Sequence, residues 1–297
     1  GAMAVLILAD LWFVDKRFLN NNNFESKREA QNANVATPVD NEILKDKDVS
    51  YRVMPLQNPW QDSRASYFHK NVGGYHAAKL RRYQEMIDNY LAPEVELMIT
   101  GLNKQKPADS VFSQLTALNM LNTRYFIYDL NKQPIRNSYE WGNAWFSPNV
   151  RIVANADEEI KALGQISSKD KVLVDKRFAA LVEGKHFQED PAASVRLAEY
   201  KPNYLKYNYK AGSEQLTVFS EIYYEDGWKA FIDGKESPHF RANYILRAMV
   251  IPAGDHTVEF KFYPSTYYMG NKVSLAGSFL LFLAVAGFFV WEWKKKR

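Results

Sequence analysis

The sequence predicts an α+β protein: a mixed α/β subdomain, then an antiparallel β-sandwich of jelly-roll type, then one C-terminal transmembrane helix. Three observations predict it. Residues 273–291 (VSLAGSFLLFLAVAGFFVW) run nineteen positions without a charge. From about Tyr51 to Pro191, short strand-like runs alternate with helical spacing. Beyond Pro191 only strand-like runs remain, with apolar side chains at every second position.

The apolar run spans roughly 28 Å as a helix, close to a hydrocarbon thickness of about 30 Å. Tyr267 and Tyr268 precede it and Trp291 and Trp293 close it, as aromatic residues do at the two membrane interfaces. Residues 294–297 (KKKR) follow at once. By the positive-inside rule this end lies in the cytoplasm and the bulk of the chain on the other side of the membrane. Formal charge is +4, and the terminal cluster accounts for all of it. The remainder is balanced, so a nucleic-acid partner is not indicated. Absence of cysteine rules out disulfide scaffolds and thiolate metal sites.

From the start of the chain, Gly1-Ala2-Met3 reads as an expression remnant. Residues 4–9 (AVLILA) read as the outer end of an upstream membrane helix, and residues 10–20 (DLWFVDKRFLN) as an interfacial helix broken at residues 20–23. Together these make a first region, residues 1–20. Residues 21–50 form a polar loop with one helical turn near residues 42–44. Residues 51–190 form the α+β subdomain. Its first strand is 51–56. A turn at Gly73-Gly74 leads to a helix from about His76 to Leu91, with Ala77, Leu80, Tyr83, Ile87 and Leu91 on one side; Pro93 ends it. A second helix covers 111–121. Strands follow at 124–128 and 149–153, then a capped helix over 155–163, a strand at 171–174 and a short helix at 176–182.

The sandwich occupies residues 191–266. Its strands are expected at 194–200, 204–209, 215–224, 228–232, 243–251 and 256–263. Asp233-Gly234 marks a two-residue hairpin. Trp228 and Tyr224 fit either core positions or a sugar-stacking platform. Residues 267–297 form the membrane helix and its tail.

Chemistry is sparsely marked. The five histidines show no metal-ligand spacing, and no nucleophile elbow, Walker loop or dinucleotide fingerprint occurs. Asp175 with Glu183 and Glu225 with Asp226 are carboxylate pairs of a kind any surface offers. No catalytic residue, metal ligand or cofactor is assigned. The most suggestive stretch is residues 66–82. Its Gly73-Gly74 turn offers backbone N–H groups to an anion, with Lys79, Arg81 and Arg82 close by and His69, Tyr75 and His76 as hydrogen-bonding side chains. A tight turn docking an amphipathic helix with solvated charges accounts for the same residues.

These stretches carry a family resemblance. SYFHKNVGGYHAAKLRRYQEMID (66–88), LNMLNTRYFIYD (118–129) and GNAWF (142–146) resemble the bacterial YfhO-like membrane proteins, in a form similar to that of Bacteroidetes. So do FSEIYYEDGWKAFIDG (219–234), RANYILRAMVIPAGDHTVEFKFYP (241–264) and DLWFVDKRFLN (10–20). The resemblance covers the C-terminal part of the family's architecture. It implies a polytopic glycosyltransferase of the GT-C type that uses a polyprenyl-phosphate sugar donor and decorates cell-surface polymers. The implied partners are the lipid bilayer, a lipid-linked sugar and a surface glycan. The implied catalytic acid lies upstream of this chain, so no residue here inherits it, and these residues would assist transfer rather than perform it. A non-catalytic carbohydrate-binding or structural ectodomain is the alternative.

Overall fold

The computed structural model describes residues 2–27 and 35–296. They divide into two compact units. One comprises Gly1–Asp46, Val53–Tyr75 and Tyr125–Ile135, the other Lys47–Arg52, His76–Arg124 and Arg136–Arg297.

In the first unit, α1 (Ala2–Phe18) is a single helix with no buried residue. It joins the two N-terminal segments that the sequence suggests as separate, because no breaker lies between them. It stops where asparagine side chains compete for backbone hydrogen bonds. The Asn20 N–H donates to Asn23 Oδ1 and the Asn22 N–H to Asn20 Oδ1, both at 2.9 Å. The helical turn expected at residues 42–44 is a longer element, α2 (Pro38–Ile43), with proline in its first turn where no N–H is needed. Asp40 caps it by accepting from the Thr37 N–H at 2.8 Å and the Thr37 hydroxyl at 2.7 Å. β1 (Arg52–Pro55), β2 (Thr123–Ile127) and β3 (Ile135–Arg136) form a three-stranded sheet in that order. Val53, Met54 and Phe126 are fully buried. α3 (Arg64–Phe68) supplies Arg64, which pairs with the fully buried Asp40. His69 Nε2 lies 3.0 Å from the other Asp40 oxygen. Burial works against ionisation of Asp40, but Arg64, the two Thr37 donors and His69 outweigh it and hold its pKa at about 2. Burial lowers the pKa of His69, against the pull of Asp40.

The second unit begins its helices at α4 (Arg81–Met86), not at His76. The His76 ring accepts from the Ala78 N–H at 3.0 Å, a local turn that withholds this stretch from the helix. Pro93 does not end the helix either. A π-helical turn, Ile87–Leu91, runs directly into α5 (Ala92–Asn103), which has Pro93 in its first turn. Widening the turn accommodates the missing proline N–H without ending the helical run. The helix expected over 111–121 is split into α6 (Ala108–Phe112) and α7 (Thr116–Met120). Glu94 caps α7, accepting from the Ala117 and Leu118 N–H groups at 2.8 Å each.

The rest of this unit is sheet-rich. In chain order it contains β4 (Ala144–Phe146), β5 (Asn149–Val153), α8 (Ala156–Leu163), β6 (Lys171–Asp175), β7 (Ser194–Lys201) and β8 (Tyr204–Ala211). β9 (Gln215–Ile222), β10 (Trp228–Ile232), β11 (Lys235–Ser237), β12 (Phe240–Ala242), β13 (Leu246–Ile251) and β14 (Gly254–Phe262) follow. One sheet has the order β11-β10-β14-β8-β7, the other β4-β9-β13-β12-β6-β5. Thus β4, β5 and β6, from the stretch before Pro191, share a sheet with strands that follow it. Pairing is antiparallel except for β5 and β6, which run parallel and are joined by α8 as the crossover. Asp233 and Gly234 both have positive φ, as the tight β10–β11 hairpin requires. Alternate residues from both sheets meet in one core. The Phe219 ring lies 4.8 Å from Tyr207 and 4.9 Å from Phe260, each on the other sheet.

α9 (Ser265–Lys295) leaves the five-stranded sheet directly after β14 and buries none of its residues. Among the described residues it is the one helix long and apolar enough to cross a membrane. The Tyr263 and Tyr268 rings stack at 4.1 Å where it begins. Their exposed faces suit the interface between lipid and water.

Candidate functional site: an arginine–tyrosine cleft at the root of the apolar helix

The eight residues singled out from the sequence divide between the two units. His69, Gly73, Gly74 and Tyr75 lie in the first; His76, Lys79, Arg81 and Arg82 lie in the second. The His69 side chain is 2% exposed and engaged by Asp40. The Gly73 N–H donates to Asn71 Oδ1 at 2.9 Å, and the Gly74 N–H to Pro59 O at 2.7 Å. Neither N–H is open to an anion, contrary to the expectation for this turn. A side chain on Gly73 would bring Cβ to 1.9 Å from Pro59 O, so glycine is there for close backbone packing. Tyr75 is exposed, and His76 and Lys79 lie in the exposed stretch before α4.

Arg81 and Arg82 have a different setting. They line a cleft of about 300 Å³ with Tyr223, Tyr224, Arg241 and Tyr244. α4 brings the first two arginines, the end of β9 brings the tyrosine pair, and β12 and its turn bring the last two residues. Arg81 is exposed and donates to Glu85 at 2.9 Å. The Arg82 guanidinium stacks over the Tyr244 ring at 4.5 Å, a cation–π contact. Arg241 reaches Asp175 at 2.9 Å and Glu159 at 3.4 Å. Glu159 also accepts from the Tyr244 N–H at 2.9 Å.

The turn holding Tyr244 is strained. Asn243 and Tyr244 have φ of 46° and 71°. The Ile245 N–H closes a three-residue turn onto Asn243 O at 2.9 Å, and a bulky residue at positive φ in such a turn is costly. Two bonds to β6 hold it: Asn243 N–H to Leu173 O at 3.0 Å, and Leu173 N–H to Asn243 Oδ1 at 2.9 Å. The Tyr244 hydroxyl donates to Glu85. That bond, more than the nearby arginines, keeps the Glu85 pKa below the carboxylate range, while burial raises the Tyr244 pKa to about 12. Burial raises the Glu159 pKa, with Arg241 opposing it. On Asp175, burial is outweighed by Arg177 and Arg241, which keep its pKa low.

The cleft adjoins the start of α9. Tyr224, Glu225 and Asp226 on its wall are followed by Gly227, whose carbonyl accepts from the Tyr263 N–H at 2.7 Å. Trp228 is half-buried, 5.2 Å from Phe262, with the Arg247 guanidinium 3.9 Å over its ring, so it is packed rather than free for stacking. Tyr224 is 41% exposed. Of the sequence-level carboxylate pairs, Glu225 and Asp226 sit on the cleft rim, while Asp175 is paired with arginines and separate from the exposed Glu183. Among the described residues no group of three His, Cys, Asp or Glu could hold a metal.

Arg241 and Tyr244 on the cleft wall, and the buried Glu159 that both contact, are the residues that local sequence reasoning does not pick out. Two faint signals exist. The Asn155 cap fixes Glu159 one turn into α8, and an Asn-Tyr pair between two strands marks a turn.

A sheet-rich unit carried directly on one long apolar helix defines a membrane protein, with its cleft beside the helix root. Residues 165–274, from just before β6 into the start of α9, match the family described as bacterial membrane protein YfhO. Over these residues the chain is similar to that family. No curated protein and no solved structure matches it.

Proposed function

We propose that the folded region lies on the extracytoplasmic side of the bacterial inner membrane, with residues 294–297 in the cytoplasm. There it assists transfer of a sugar from a polyprenyl-phosphate donor to a cell-surface polymer, the reacting acid being supplied outside this chain. The cleft next to the root of α9 carries this reading, because it offers guanidinium groups and tyrosines where a lipid-linked sugar would lie. Arg81, exposed on the cleft wall, is the cation that would approach the donor first, with the half-buried Lys79 and Arg82 on either side of it in the chain.

The test is transfer of labelled sugar to polymer in membranes holding the full-length protein. Arg81→Ala and the triple variant Lys79→Ala/Arg81→Ala/Arg82→Ala should reduce transfer while the thermal unfolding of Arg81→Ala stays unchanged. Wild-type transfer in both variants would refute the role. The half-exposed Tyr224 favours a second reading, a carbohydrate-binding cleft without transfer. Saturable glycan binding by a protein inactive in transfer would select it.

A further inference from the structure

We infer that the cleft contains a built seat for an oxyanion, a phosphate or carboxylate group, between Arg82 and Arg241. Arg241 is 5% exposed, yet its Nε has no hydrogen-bond partner. Arg82 Nη1 is likewise buried without one, lying 3.6 Å from Glu159 Oε2, outside hydrogen-bond reach. Both side chains line the same cleft. A buried donor left unmet costs about 1–3 kcal/mol, so two in one wall point to an acceptor that enters the space between them.

The charges agree. Arg82 and Arg241 approach the same oxygen of Glu159, at 3.6 and 3.4 Å. That carboxylate already accepts from the Tyr244 N–H through its other oxygen. Asp175 gives Arg241 a second contact but is also paired with Arg177. Glu85 is occupied by Arg81 and the Tyr244 hydroxyl. Three guanidinium groups therefore share Glu159 and Asp175, with Arg177 largely in solvent and Arg82 and Arg241 on the cleft side, which leaves a positive excess there. Glu225 and Asp226 on the rim are exposed, and their charges are screened. A planar guanidinium fork matches the paired oxygens of phosphate or carboxylate. The strained Tyr244 turn contributes by holding its ring beneath Arg82, which keeps that guanidinium aimed along the wall.

This inference rests on the proposed role only for the identity of the anion's carrier; the seat itself needs no sugar transfer. The experiment titrates inorganic phosphate, and separately acetate, into the full chain in phosphatidylcholine nanodiscs, by calorimetry. Saturable binding of either anion is expected, weakened about tenfold in Arg82→Gln, as losing a charge-assisted hydrogen bond implies. Arg241→Lys keeps the charge, loses the fork and should weaken binding similarly while preserving the fold. Nanodiscs containing phosphatidylglycerol form the second arm. A lower phosphate affinity there assigns the seat to a lipid headgroup, and an unchanged affinity assigns it to a soluble or lipid-linked phosphate. No saturable anion binding by the wild type, or undiminished binding by both variants, overturns the seat. Anion binding with normal transfer in the Arg81→Ala and triple variants overturns the proposed role and leaves the seat standing.

Discussion

Replacing Asp40 with asparagine removes one charge and little volume from the most tightly held carboxylate in the first unit. Asp40 is fully buried and accepts from Thr37 twice, from Arg64 and from His69. Its pKa falls from 3.8 to about 2 on folding. Because the folded value is the lower one, the unfolded chain binds the proton first as pH drops. The contribution to stability is complete above pH 4–5 and is lost as pH falls towards 2. At about 1.36 kcal/mol per unit, the shift corresponds to about 2 kcal/mol. His69 adds in the same direction, since its lowered pKa makes the unfolded chain take up a proton first below its ordinary value of 6.5. Hydrogen exchange followed by mass spectrometry on peptides covering α2 and α3 reads this locally. At pH 7 the protection of these peptides in Asp40→Asn should fall roughly 30-fold, the equivalent of about 2 kcal/mol. Opening free energies of the wild type should decline between pH 5 and 2, and those of the variant should lose the part of that decline due to Asp40 and keep only the part due to His69. Protection within twofold of wild type at pH 7 would refute the assignment of Asp40 as a net stabilising charge.

Two further outcomes follow from single positions. Gly73→Ala places Cβ 1.9 Å from Pro59 O and should destabilise the first unit by about 3 kcal/mol. Exchange at the Gly74 amide, which bonds to Pro59 O, should accelerate first, and unchanged exchange there would contradict the close packing. Glu94, whose pKa burial raises from 4.5 to about 7, holds its proton longer in the folded state than in the unfolded one, so stability around α7 should decline from pH 4.5 to 7. Glu94→Gln should abolish that slope in the exchange of residues 116–121.

The parts of the fold set by local pattern are legible in the chain. The alternation of Val258, Phe260 and Phe262 gives β14, the charge-free run gives α9, and Asp233-Gly234 gives the β10–β11 hairpin. Errors fall where side chains or distant carboxylates intervene. His76 delays α4 by bonding to the Ala78 N–H, a π turn carries the helix past Pro93, and Glu94 caps α7 from α5. β12 hides because its three residues precede a left-handed turn within one apolar run. The cleft is less legible still. Arg81 and Arg82 stand out as a basic pair, but Glu159, Asp175 and Arg241 are brought together by the parallel β5–β6 pair and its neighbour β12, a tertiary arrangement without local spacing.

Gly227 connects this cleft to the membrane helix, and its substitution separates the two. Its φ of +98° suits glycine alone, and an added Cβ would lie 2.9 Å from the Phe262 ring and 3.0 Å from Pro264. The preceding residues form the cleft wall, while Tyr263 and Pro264 lead into α9, so one backbone position sets how closely the wall approaches the helix root. Gly227→Ala must either push Pro264 away or move the 223–226 segment; the second requires less, because that segment is a loop and Pro264 is tied to both β14 and α9. The chain contains no cysteine, so labels introduced by Tyr224→Cys and Met269→Cys are unique. Their distance distribution, measured by electron paramagnetic resonance in nanodiscs, should be narrow with glycine at 227 and should broaden or shift with alanine. Anion binding should weaken in parallel, since Tyr223 and Tyr224 leave their places beside Arg241. An unchanged distribution would show that the loop is not held by this contact, and the cleft would then owe its position to β9 and β12 alone.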